Sequence, residues 1–174
     1  MLLRKFVLFL LISAGGLVLA SASQQPRKAA CPATPPNRHA VPDRSDQMPP
    51  GSAAFWHGNS SVGTTLWPDG VVVFKPGGPG AVLPDGALRM KFYWLKKPDV
   101  RLTVTGHRLD KKSVALRAEL NHEFDKQGGQ PSYLIFPTPG CWTVTATAGK
   151  ETLSFVTAVT KIGRRAYSRE RRVV

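Results

Sequence analysis

The sequence predicts an all-β fold, an antiparallel Ig-like β-sandwich of about seven or eight strands behind a proline-rich N-terminal arm. Three observations predict it. Apolar and polar residues alternate with a period of two in runs between Thr64 and Thr160. Pro-Asp-Gly and Gly-rich turns separate the runs at close spacing. No stretch carries a convincing 3.6-residue amphipathic pattern. Each alternating strand has one apolar face, and two stacked sheets bury all of those faces together.

Residues 1–22 read as a secretory signal peptide. Arg4 and Lys5 precede an apolar run from Phe6 to Ala20, which closes on Ala20-Ser21-Ala22, a small-x-small cleavage pattern. An uncleaved anchor is the alternative, although the run is just short of a full bilayer span. Nothing later in the chain could span a membrane. Residues 23–52 form the arm, where Pro26, Pro32, Pro35, Pro36, Pro42, Pro49 and Pro50 exclude a helix or a central strand.

The β-domain is expected over residues 53–162. Thr64 to Trp67 and Val71 to Lys75 read as strands flanking the Pro68-Asp69-Gly70 turn, and Pro84-Asp85-Gly86 repeats that turn chemistry. Pro76-Gly77-Gly78-Pro79-Gly80 is a loop. It lacks the Gly-Lys-Ser/Thr and helix of a phosphate cradle. Leu88, Met90, Phe92 and Trp94 alternate with Arg89, Lys91 and Tyr93, which puts the first set in the core. Val100, Leu102 and Val104 mark the next strand, and Val114 to Leu120 a third, for which a helix is the alternative. Ser132 to Phe136 leads into the corner Pro137-Thr138-Pro139-Gly140. Trp142 to Ala148 and Leu153 to Thr160 then form a hairpin about Gly149-Lys150.

Two cysteines in an exported chain most simply form one disulfide, Cys31 to Cys141; free thiols or intermolecular pairing are the alternatives. Neighbouring strand residues face opposite ways, so Trp142 belongs in the core while Cys141 turns outward toward the arm. Neither cysteine sits in a Cys-x-x-Cys or zinc-like context.

The chain carries 24 Lys and Arg against 11 Asp and Glu, a net charge of +13. Residues 163–174 form a basic tail, with Arg164, Arg165, Arg169, Arg171 and Arg172 against Glu170. Together with Arg89, Lys91, Lys96, Lys97 and Arg101 on the domain, they are the candidate anion-binding residues. The expected contacts are anionic lipid or envelope polysaccharide, with nucleic acid not the expected partner. A solvated tail that only keeps the protein soluble is the competing reading. Tyr93 shares its face with Arg89 and Lys91 and is the candidate stacking residue, whereas Trp94 belongs to the core.

Several fragments together resemble a group of bacterial exported single-domain proteins: Cys31-Pro32, Pro36-Asn37, His57-Gly58-Asn59, Leu66-Trp67-Pro68-Asp69-Gly70, Lys91-Phe92, Gly106-His107-Arg108-Leu109-Asp110 and Phe136-Pro137-Thr138-Pro139-Gly140-Cys141-Trp142. The resemblance spans about residues 31–160. It implies a bacterial source, export to the periplasm, cell envelope or medium, and one small β-domain. It brings no activity.

Catalytic signals are missing. There is no Gly-x-Ser-x-Gly elbow, and Ser60, Ser61 and Ser132 have no activating context. Eight acidic residues lie between Ser52 and Lys161, none in an apolar setting that would raise a pKa. His57, His107 and His122, with Asp110 and Glu123, are the alternative metal or hydrolytic constellation, but no local His pair fixes two ligands. No cofactor is expected. The sequence therefore predicts a non-catalytic exported binding module, with a small metal-handling or hydrolytic protein as the alternative.

Overall fold

The computed structural model describes residues 31–39 and 47–163. The leader and the tail residues Arg164, Arg165, Arg169, Arg171 and Arg172 lie outside the described residues. Ten strands form: β1 (Trp56–Gly58), β2 (Val62–Thr65), β3 (Val71–Phe74), β4 (Ala81–Val82), β5 (Leu88–Lys96), β6 (Leu102–Arg108), β7 (Arg117–Leu120), β8 (Gly129–Phe136), β9 (Gly140–Ala148) and β10 (Glu151–Lys161). The first sheet has six strands in the order β1-β2-β5-β8-β7, with β4 also paired to β5; the second has four in the order β3-β10-β9-β6. No helix among the described residues is long and apolar enough to cross a membrane.

The sandwich is as expected, with differences in detail. There are more strands, and one pair, β3 with β10, is parallel. That pairing joins an early strand to the last one, so the sheet is not wholly antiparallel. The stretch Val114 to Leu120 is strand only over Arg117–Leu120. Residues before it carry the chain from β6 in one sheet to β7 in the other, and Leu116 N–H is still bonded to the Gly106 carbonyl at 3.0 Å. The 3-10 turn His122–Gln127, capped by the Asn121 side chain, was not legible as a helix because it is so short. At Pro68–Gly70, Asp69 and Gly70 both take positive φ (55° and 65°), the conformation that suits Asp and Gly.

Leu88, Met90, Phe92 and Trp94 of β5 are buried with Trp142, Val144 and Ala146 of β9 and Leu153, Phe155 and Val159 of β10. Phe92 stacks on Phe155 at 6.3 Å, and Trp94 lies 6.2 Å from each, so three rings tie the sheets together. The Trp94 indole donates to Ser132 Oγ at 2.8 Å, which removes the cost of burying it. A smaller cluster of Trp56 and Leu95, with Met48 and Tyr93 against it, sits apart from this core.

The arm does more than run over the surface. Cys31 is bonded to Cys141 across 110 residues. Thr34 N–H donates to the Val156 carbonyl at 2.9 Å, and Val156 N–H donates to Thr34 Oγ1 at 2.8 Å. Asn37 then brackets Gly58, donating to its carbonyl at 2.7 Å and accepting from its N–H at 3.0 Å. Arg38 N–H reaches the Trp56 carbonyl. The arm thus bridges β1 at the edge of one sheet and β10 in the other, covering backbone groups that would otherwise template a further strand.

The corner before Trp142 is built on Arg108. Its guanidinium pairs with the Asp110 carboxylate and donates to Thr138 Oγ1 at 2.9 Å. The Trp142 indole donates to the Thr138 carbonyl at 3.0 Å. Gly140 is required because a Cβ there would overlap the guanidinium. Two of the fragments quoted above, residues 106–110 and 136–142, therefore form one structural joint.

Candidate functional site

The outer face of the first sheet carries the charge and aromatic groups that the sequence singles out. Alternation along β5 leaves Arg89, Lys91 and Tyr93 on this face while their neighbours fill the core. Register places Lys91 beside Tyr133 of β8, and Tyr133 beside Glu119 of β7. The Arg89 guanidinium lies 3.5 Å from the Tyr133 ring centroid, and its Nε and Nη2 approach Glu119 Oε2 at 3.1 and 2.9 Å. Arg89 is therefore oriented and partly neutralised before any ligand arrives.

Lys91 differs. It is exposed, and no described carboxylate forms an ion pair with it. Two clefts share it as a wall. One, of about 680 Å³, is mixed, with Glu119, Asn121 and His122 beside Leu120, Phe124 and Pro131. The other, of about 370 Å³, is apolar, formed by Phe55, Thr65, Trp67, Pro68 and Tyr93.

Tyr93 is not an open stacking platform. It is half-buried against the Trp56 and Leu95 cluster, and its hydroxyl lies so close to Gly129 that a Cβ there would overlap it. Tyr133, 37% exposed, is the more open ring on this face. Its signal was present in the sequence, since it alternates with buried Leu134 and Phe136, but its neighbours across the sheet are set only by register.

Lys96 is a correction. It is fully buried, with Nζ donating to the Asp125 carbonyl at 2.8 Å and lying 3.5 Å from Asp125 Oδ1. It fastens the turn before β8 to the end of β5, and it cannot meet an outside anion. Lys97 and Arg101 are exposed on either side of the β5–β6 turn, beyond the end of the strand that holds Arg89 and Lys91. The basic residues of the domain thus do not form one continuous face. Of the candidate residues on the domain, Arg89 and Lys91 lie on the sheet face and Lys97 and Arg101 at the turn.

The histidines do not converge. His57 is on β1, buried beside Phe155 at 6.4 Å between ring centroids. His107 is exposed on β6, and His122 is in the turn after β7, 3.2 Å from Asp125 Oδ2. Among the described residues no group of three His, Cys, Asp or Glu could hold a metal ion. Burial holds the His57 pKa below its ordinary value, against the opposing pull of backbone hydrogen bonds to Ser154 and Pro35. That placement makes it part of the seam between arm and sandwich.

No protein-family model matches the chain, and no curated protein matches it. The chemistry of the face is therefore read from its own groups: an ammonium with no described carboxylate partner between a mixed and an apolar cleft, a fixed guanidinium, and a part-exposed phenol ring beneath it. These groups can bind and orient a ligand. None is arranged as a nucleophile with its base.

Proposed function

We propose that the protein is a non-catalytic, exported binding module of the bacterial cell envelope that contacts anionic lipid or polysaccharide. The observation that carries this reading is Lys91, an exposed cation with no described carboxylate partner, set between two clefts on a sheet face. Lys97, Arg101 and the basic tail add positive charge to the chain. Such an arrangement attracts anions over roughly a Debye length, about 10 Å at 0.1 M salt. Export is supported by the leader pattern and by the disulfide, which suits an oxidising compartment. The resemblance to bacterial exported proteins points the same way.

Retention on phosphatidylglycerol vesicles tests it. The mature chain is expected to bind at low salt and to elute as salt rises. Deletion of residues 163–174 together with Lys91→Gln, Lys97→Gln and Arg101→Gln is expected to abolish retention. Absence of retention on both anionic vesicles and anionic polysaccharide at low salt sinks the reading.

A further inference from the structure

The first sheet has a notch. β8 pairs with β5 along its length, from Leu88 to Leu95. On the other side of β5, β4 pairs only with Leu88 and Arg89, and β2 only with Trp94 to Lys96. Between them the edge of β5 has no neighbouring strand. Successive residues of an antiparallel strand direct their N–H and C=O groups to opposite sides. The Tyr93 carbonyl points toward β2, since it accepts from Thr64 Oγ1 at 2.8 Å. The N–H and C=O of Lys91, two residues earlier, therefore point into the notch. Among the described residues neither has a hydrogen-bond partner.

An adjacent donor and acceptor with strand spacing are complementary to one residue of an extended chain. The apolar cleft lies at this notch, with Phe55, Trp67, Pro68 and Tyr93 as its walls. Phe55 is 37% exposed, so its ring is open to a ligand in the cleft. The Lys91 side chain stands at the rim. Backbone pairing, an apolar receptacle and a cation thus meet at one residue.

We propose that the notch is a peptide-binding site for an extended segment carrying an apolar residue and, two positions away, an acidic one. The apolar residue pairs through its backbone with Lys91 and places its side chain against Phe55 and Trp67. The period of two puts the acidic side chain on the same face, within reach of the Lys91 ammonium. The site shares Lys91 with the anionic-surface reading, but it uses the backbone of that residue and the apolar cleft, whereas surface binding needs only its charge.

The probe is a capped pentapeptide, acetyl-Ser-Phe-Thr-Glu-Ser-amide, titrated into the mature protein while amide and indole NMR signals are followed. Saturable shifts are expected at the amides of Thr65 and Lys91 and at the Trp67 indole. Replacing the peptide's Glu by Gln is expected to weaken binding about threefold, as an exposed ion pair would. Lys91→Gln is expected to remove that difference. Trp67→Ala is expected to weaken binding about tenfold, as loss of an aromatic anchor does. Because Trp67 also touches the core, Phe55→Ser at an exposed position gives the same test with the fold intact. No saturable shift at these signals overturns the proposal. So does equal affinity for 3-phenylpropionate, which offers no backbone, or unchanged affinity in both Phe55→Ser and Trp67→Ala. Vesicle retention measured on the same variants separates the two readings: peptide binding without retention removes only the anionic-surface reading, and retention without peptide binding removes only this one.

Discussion

Lys96 and Lys91 lie on the same strand, five residues apart, and differ only in which way they point. Leu88, Met90, Phe92 and Trp94 set an inward phase that continues to residue 96, so the pattern itself placed this lysine inside. Its charge argued for the surface, where most lysines are found. Tertiary structure reconciled the two by supplying the carbonyl and carboxylate of Asp125. Lys96→Met keeps most of the volume but strands those acceptors. It is expected to cost about 1–3 kcal/mol in urea unfolding, as loss of a buried charged hydrogen bond does, with vesicle retention unchanged. His57 gives a pH-dependent counterpart. Its folded pKa lies below its ordinary value of 6.5, so as pH falls below 6.5 the unfolded chain takes up a proton before the native one does. The unfolded state then binds more protons, and stability falls until pH passes the folded pKa, where the loss levels off. Urea midpoints at pH 7.5 and 5.5 are expected to differ less in His57→Leu than in the natural chain. Equal differences would show that another group carries the titration.

The element with the most structural consequence is the arm, whose residues 31–39 have no regular secondary structure. Its prolines excluded helix and central strand, and the paired cysteines announced where it is tied, but its hydrogen-bond partners were not legible. Thr34 and Asn37 use side chains to complete backbone pairing on β10 and β1, and such partners depend on where distant strands end up. The fragments Pro36-Asn37 and His57-Gly58-Asn59 meet here: Asn37 holds Gly58, and Asn59 donates to the Thr152 carbonyl at 2.9 Å. Removing the disulfide by Cys31→Ser is expected to cost several kcal/mol at most. About 4.7 kcal/mol is the chain-entropy ceiling for a loop of about 100 residues. Hydrogen exchange gives the specific test. The Val156 and Gly58 amides, whose acceptors are arm side chains, are expected to lose protection before the amides of β5 and β8. Unchanged protection at both would mean that the arm stays docked without its covalent tie.

At the scale of the whole molecule, the basic residues behind the net charge of +13 are spread along the chain, and the candidate ones on the domain separate into Arg89 and Lys91 within β5 and Lys97 and Arg101 beyond its end. A sequence reading counts charges but cannot sort them this way, because Arg89, Lys91, Lys96, Lys97 and Arg101 are near in sequence yet fall on a strand face, in the interior and in a turn. The sandwich itself was legible, since alternation is a local property and each strand repeats it. The hairpin of β9 and β10 was legible for the same reason, with Gly149 at its turn at φ 64°. By itself the sequence determined the core residues of β5, β9 and β10, the main turns, and the simplest cysteine pairing. These follow from side-chain period, turn chemistry and a cysteine count of two. Only the tertiary structure decided the parallel pairing of β3 with β10, the docking of the arm on two sheets, the burial of Lys96 and the notch beside Lys91. Each of these joins residues far apart in the chain, and their pairing is set by the packing of whole sheets, which no local pattern records.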